Sequence, residues 1–478
     1  MKYSVNNIFM KNLVRTIFGI TTFISFQSCT NQSVLNDYTW QNVDEIISQI
    51  NIPTFPKNEF NVLEFGAKPD TNINSKNAIQ SAIDECNKNG GGKVIIPKGK
   101  YFCGGSIFLK SNVNLHLEKD TEIFFSTNSK DYLPVVLSRW EGVECYNYSA
   151  LIYAKDQDNI AITGKGILNG KSSKKNWWWW KGKKEYGFEK GMPSQLDSLN
   201  RPLLLKMNNE NVLVEKRIFG EGKYLRPNFF QTINCKNILI ENVTFTDSPM
   251  WFLNPVLSEN ITIRGITVIG KGPNNDGLDP ESCKNVLIEN CFFDNGDDCI
   301  AIKSGRNNDG RRINVPSENI IIRNCKMKDG HGGIVIGSEI SGGCKNIFIE
   351  NCEMNSPNLD RALRIKTNKY RGGTVENIFL RNIEVGEVSE AVVKINLRYD
   401  EKVEQGEIYF PTVKNIFIEN VTSEKSKYAF FFDGLDESKI QNIIISDSKF
   451  NGVAEKEILR NVENFKIKNV LVNNELYK

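Results

Sequence analysis

Asn237-Ile238-Leu239-Ile240-Glu241-Asn242-Val243 decides the fold, because the same phrase keeps returning along the chain. It recurs as Asn260-Ile261-Thr262-Ile263, Asn285-Val286-Leu287-Ile288, Asn319-Ile320-Ile321-Ile322 and Asn346-Ile347-Phe348-Ile349. It continues at Asn377-Ile378-Phe379-Leu380, Asn415-Ile416-Phe417-Ile418, Asn442-Ile443-Ile444-Ile445 and Asn464-Phe465-Lys466-Ile467, with fainter copies at Asn159 and Asn211. Such spacing belongs to solenoids, whose period is roughly 20–50 residues. Each copy holds short runs of period two, broken by Asn, Gly or Asp, which read as strands. No copy carries a helix-length apolar pattern, so a βαβ fold is excluded, and the leucine grid of leucine-rich repeats is absent. The expected architecture is all-β: a right-handed, single-stranded parallel β-helix in which each coil pairs with the next. Val and Ile fill the cylinder, and Asn at equivalent bends stacks in a ladder.

Outward from the repeats, the pattern changes on both sides. Residues 77–86 have helical spacing, with Ser75 as the expected N-cap and Gly90-Gly91-Gly92 as the stop. Such a helix caps the open end of the cylinder, whose edge would otherwise expose unpaired backbone. Between about 171 and 228 the repeat lapses into an insertion containing Trp177-Trp178-Trp179-Trp180 and many lysines. Lys2, Lys11 and Arg15 precede an apolar stretch from Ile17 to Phe26 that ends in Gln27-Ser28-Cys29. A basic start, a short apolar core and a small residue before the cut describe an export signal over 1–28. Cys29 stands where a bacterial lipobox places its lipidated cysteine, although Phe26 replaces the usual Leu-like residue. Residues 29–58 then read as a polar tether and 59–478 as the β-helix. The expected location is periplasmic, or the outer membrane through a lipid on Cys29.

The formal charge is +3, and residues 1–28 hold three basic and no acidic side chains, so the remainder sits near 3 − 3 = 0. That balance gives no global attraction to nucleic acid. Eleven cysteines in an exported chain invite disulfides. However, Cys291, Cys325 and Cys352 each follow an Asn in the same repeat phrase, so they read as a buried ladder of small side chains. No CxxC or His/Cys cluster points to zinc.

Four further phrases fall on successive coils: Asn274-Asn275-Asp276-Gly277, Gly296-Asp297-Asp298, Gly330-His331-Gly332 and Arg364-Ile365-Lys366. Coils stack about 5 Å apart, so these residues converge in one strip. Crowded carboxylates resist ionising together, which keeps an acid protonated beside a base. A glycosidase needs that pair: one carboxyl protonates the leaving oxygen and another activates water. Arg364 and Lys366, two apart in a strand, share a face and suit an anionic substrate.

These motifs, in this order, resemble glycoside hydrolase family 28, the polygalacturonases, over about residues 60–399. The extended stretch from Asn324 to Gly337-Ser338, with Met327 and His331, also fits. The resemblance implies metal-free, cofactor-free, inverting hydrolysis of α-1,4 bonds of galacturonic acid in pectin. It implies Asp297 as the general acid, with Asp276 and Asp298 handling the water and His331 tuning the acid. It implies Arg364 and Lys366 as the grip on a galacturonate carboxylate beyond the scissile bond. Tyr399 and Asn274 are further expected contacts, and Asp279 is weighed as a cluster member or a turn former. Asn275 and Asn254 depart from the family's common Thr and His. Arg139 is expected to pair with a uronate, and the Trp run either walls the cleft or plugs the insertion onto the barrel. The insertion is expected to close one end of the cleft, giving exo action by a monomer on pectic chains. The alternatives are a rhamnogalacturonan-directed hydrolase and a calcium-dependent pectate lyase.

Overall fold

The computed structural model describes residues 39–402 and 406–477; the expected leader over 1–28 and Cys29 lie outside them. The repeat phrases become parallel strands in register. Ile160, Ile238, Ile261, Val286, Ile320, Ile347, Ile378, Ile416, Ile443 and Phe465 form one continuous row of backbone partners. All ten but Phe465 are essentially inaccessible to solvent, so the row is the spine of the core. A second face carries the shorter strands Leu253–Val256, Ile300–Ile302, Ile334–Gly337, Arg361–Lys366 and Ala391–Asn396. A right-handed parallel β-helix is therefore the observed fold, as the sequence predicts.

The asparagine that opens each phrase holds a bend near the start of its strand. Asn159, Asn237, Asn260, Asn285, Asn319 and Asn346 adopt φ near +55°, a left-handed conformation that Asn tolerates better than most residues. Each side-chain amide donates to the amide oxygen of the Asn one coil earlier, from Asn159 on Asn112 (3.0 Å) through Asn319 on Asn285 (3.1 Å) to Asn464 on Asn442 (3.0 Å). At Asn285, Asn319 and Asn346 the ladder satisfies buried amides that would otherwise cost about 1–3 kcal/mol each. Cys291, Cys325 and Cys352 are buried free thiols, and so are the other described cysteines.

Helix α1 (Asn42–Gln49) corrects the expectation of a tether through residue 58. Inward-facing Val286 and Ile288 flank outward-facing Leu287, and equivalent outward positions are Ile321, Phe348 and Phe379. An apolar outer face needs a cover, and Val43, Ile46 and Ile50 provide it. Trp40 adds edge contacts to Phe348 and Phe379, whose rings stack 4.8 Å apart. Helix α2 (Lys76–Lys88) buries Ala78, Ile79, Ala82, Ile83 and Cys86 against the first coils, as expected of a cap. The capping bond differs from the expected one: Asn74 Oδ1 accepts from Lys76 N at 3.0 Å, while Ser75 Oγ donates to Lys68 O. Helix α3 (Arg201–Asn209) belongs to the insertion and packs near helix α4 (Asn307–Ile313).

Candidate active site

Backbone register places the expected residues. Leu278, Ile300, Ile334 and Leu363 are successive partners on the second face. Asp276 and Asp298 each stand two residues before their member of that row, so they occupy equivalent positions on adjoining coils. Gly332 takes that position on the next coil, and a Cβ there would approach Asp298 Oδ1 to 3.3 Å and Val335 Cγ2 to 2.4 Å. Its lack of a side chain leaves the strip open beside Asp298. One oxygen from each of Asp276, Asp297 and Asp298 lies within 4.8 Å of the others. Asp276 and Asp297 open into a cavity of about 550 Å³, also lined by His331, Arg364, Lys366 and Tyr399, with Asp298 buried behind its surface.

Each carboxylate has a different neighbourhood. Burial is the largest influence on Asp276 and pushes its carboxyl well above the usual range, helped by the charges of Asp297 and Asp279. Burial also pushes Asp297 up, but it is outweighed by the His331 imidazole, then by Lys366 and Lys181, so the net direction is down. The His331 Nδ1 lies 3.0 Å from Asp297 Oδ1, and this hydrogen bond raises the imidazole above its ordinary value. Asp298 is fully buried and accepts from Lys366 Nζ at 2.6 Å, with Arg364 NH1 at 3.7 Å. Lys366 is thus engaged by Asp298, and Arg364 faces the Tyr399 ring at 5.2 Å.

Beneath the strip lies a charged layer of which the sequence reading names Asp276 and Asp279 but not Lys303, Glu339 or Arg306. Lys303 Nζ is buried among Asp279 (3.3 Å), Glu339 (3.4 Å) and Asp276 (3.8 Å), and lies 4.6 Å from the Trp251 ring. Burial alone would lower this ammonium; the three carboxylates reverse that and hold it charged. Glu339 is held low by Lys303 and Arg306 against its burial. Asp279 is pushed up to about 8, chiefly by burial, and belongs to this supporting layer. The carboxylate trio has the spacing of a cation site, yet ammonium groups already stand 2.6 Å from Asp298 and 3.8 Å from Asp276. A divalent ion there would meet their repulsion.

The insertion supplies one wall through Lys181, Lys183, Tyr186, Gln195, Leu196 and Arg201. The Trp run roots that wall: Trp177 and Trp180 are buried in the main core with ring centroids 4.9 Å apart, and Trp178 Nε1 donates to Ser248 O. It is a plug, one of the two expected outcomes. Arg139 corrects an expectation. It is 1% exposed, beside Glu281 and Glu144 at 3.6 Å each, and does not line the cavity. Its neighbour Glu141 does, paired with Arg201 at 2.7 Å. Asn274 lines the cavity with its oxygen engaged by Lys181 (2.7 Å) and Arg226 (2.8 Å). Asn254 is buried and bonded to Asn228, Gln231 and the Asp279 carbonyl, and Asn275 ties its loop to Ser248 and Met250.

The model of Glycosyl hydrolases family 28 matches residues 215–472, more than half of the chain. The chain belongs to that family. A second model, Rhamnogalacturonase A/epimerase, pectate lyase-like, matches residues 59–116. Among solved structures, an exopolygalacturonase of Thermotoga maritima is 44% identical, with 91% of this chain and 96% of that one covered and a TM-score of 0.88. A probable polygalacturonase of Vitis vinifera is 27% identical, covering 81% of this chain and 73% of its own. An exo-poly-alpha-D-galacturonosidase of Dickeya chrysanthemi is 26% identical, covering 83% and 68%.

As a family 28 glycoside hydrolase, the protein needs one mobile proton in this cluster. The His331 imidazole, raised by Asp297 at 3.0 Å, is the group placed to hold one. The sign follows from the raised imidazole: the pair keeps its proton below the shifted His331 value and loses it as pH rises through that value. His331→Ala is expected to lower kcat at least tenfold and to move the basic limb of the kcat profile to lower pH. A lone carboxyl surrenders its proton before a carboxylate-paired imidazolium does. An unmoved limb would make His331 a scaffold residue only.

Proposed function

We infer that the protein is an exo-acting polygalacturonase that releases single galacturonate units by inverting hydrolysis of α-1,4 linkages. The observation that carries this reading is the placement of Asp297–His331 between two unlike ends. On one side stand Arg364, Lys366 and Tyr399; on the other stands the insertion wall. Asp297 delivers the proton held with His331 to the leaving oxygen. Asp298 takes the proton of the attacking water and stays oriented by Lys366, while Asp276 hydrogen-bonds the same water. Arg364 and Lys366 hold the carboxylate of the leaving sugar, with Arg offering the planar fork that suits it. The glycone then lies toward the wall, so the unit removed is the non-reducing terminal one. The exo-acting relatives from Thermotoga maritima and Dickeya chrysanthemi support this, and the rhamnogalacturonan and lyase alternatives are not favoured.

One time course on polygalacturonate tests the reading. Early NMR spectra should show free galacturonate appearing first as the β-anomer while viscosity barely falls. A rapid viscosity drop with mixed oligomers would defeat the exo assignment, and a first-formed α-anomer would defeat inversion.

A further inference from the structure

Cations around the cavity are almost all spoken for. Lys303, Lys366, Arg201, Arg306, Arg361, Arg364 and even the exposed Lys183 each have a carboxylate within 4 Å. Among the described residues that line the cavity, Lys181 is the one Lys or Arg without such a partner. Its Nζ bonds only an amide oxygen, Asn274 Oδ1, at 2.7 Å. The same oxygen accepts from Arg226 NH2 at 2.8 Å. Arg226 is fully buried behind the wall, and its other partners are the carbonyls of Pro249 and Pro273 and the Gln195 amide oxygen. Two positive groups therefore converge on one neutral oxygen. Their cost shows in both: burial and the charge of Arg226 bring Lys181 down to about 8, and burial brings Arg226 down to about 10, although the charges of Glu141 and Asp297 act against both shifts.

An anion arriving at Lys181 removes that cost. The position is specific, because Asn274 lies on the Asp276 coil, while Arg364 lies three coils further on. At the usual strand spacing these are roughly 14 Å apart, on opposite sides of Asp297. We propose that Lys181, backed by Arg226 through Asn274, is the receptor for the carboxylate of the non-reducing terminal uronic acid. This rests on the exo-acting reading above and adds to it the group that recognises the chain end. The insertion then does two things: it blocks the cleft, and it reads the terminal sugar as acidic. A neutral terminal sugar forfeits a charge-assisted contact to Lys181, whose Nζ then has only the Asn274 amide oxygen.

The test compares trigalacturonate with the same trisaccharide methyl-esterified only on its non-reducing terminal unit. Wild type should prefer the free acid by roughly 10- to 100-fold in kcat/KM. Lys181→Met should lose that preference, giving a ratio near one, and Lys181→Arg should recover most of it. Asn274→Asp serves as the second variant: it keeps the lysine but sets a carboxylate against it, and it too should abolish the preference. Full preference retained in Lys181→Met or in Asn274→Asp overturns the proposal while leaving the exo reading intact. Equal wild-type rates on the two trisaccharides overturn it as well. Failure of wild type to release monomer from trigalacturonate overturns the exo reading, and the proposal with it.

Discussion

Asp297→Asn is expected to lower turnover of polygalacturonate by about two to four orders of magnitude, with the fold and substrate affinity preserved. The amide keeps the shape of the side chain and its contact with His331, but has no proton to give. A stricter expectation follows from the role itself. An acid is needed only when the leaving group is poor, so Asp297→Asn should retain most of its activity on a galacturonide of dinitrophenol. Asp276→Asn should show the reverse pattern, slow on both substrates, because the water still needs its hydrogen bond. The comparison matters because the site divides its charges the other way: Asp276 is raised by burial, and Asp297 is lowered by His331. Groups whose environments push their affinities for protons apart are usually the acid and the base. Taken alone, the resting pattern would make Asp276 the acid. The proton on His331, 3.0 Å from Asp297, is what reconciles it with Asp297 as donor. Leaving-group rescue in Asp276→Asn, and not in Asp297→Asn, would exchange the two assignments.

Lys303→Met should be the most damaging single change beneath the site. The side chain is 2% exposed and stands among Asp276, Asp279 and Glu339. Removing one partner of a buried charge cluster costs about 3–5 kcal/mol, because the remaining charges stay in the interior without compensation. The urea midpoint should fall sharply, and activity should vanish even where the variant is folded, since Asp276 loses its fixed orientation. Lys303→Arg should restore part of the stability. A midpoint equal to that of wild type would show that Asp279 and its neighbours already share enough protons to need no ammonium.

Much of this molecule was legible because the solenoid repeats one instruction. The Asn that opens each phrase marks a left-handed bend, and the period-two apolar run that follows marks the inner wall. The four polar motifs were legible for a related reason: each is short, contiguous and tied to its own coil, three just before the second-face row and Arg364-Ile365-Lys366 within its strand. What stayed hidden depends on register between residues far apart in sequence. Lys303, Glu339 and Arg306 meet because their coils stack, Glu141 reaches them from the turn of the antiparallel pair Val136–Trp140 and Val143–Asn147, and each alone resembles an ordinary solvated charge. The echo of Arg364-Ile365-Lys366 in Ala301-Ile302-Lys303 was the available signal for Lys303. Arg139 misled because a sequence gives its charge but not its depth. The segment of α1 misled because the face it covers, the outward Leu287, Ile321, Phe348 and Phe379, reads as ordinary strand in the sequence.

The wall raised by the insertion also fixes the order in which products leave. Under the exo reading, a freed monomer lies between the wall and the shortened polymer, so the polymer must withdraw first. Sliding forward along one chain is then impossible, and every cycle starts from a new encounter. Attack is distributive: in a mixture, all chains shorten together, and none is consumed to completion ahead of its neighbours. The rate responds to the number of chain ends per volume rather than to the mass of polysaccharide. Any process that nicks the polymer internally, and so multiplies ends, sets the pace at which this enzyme works.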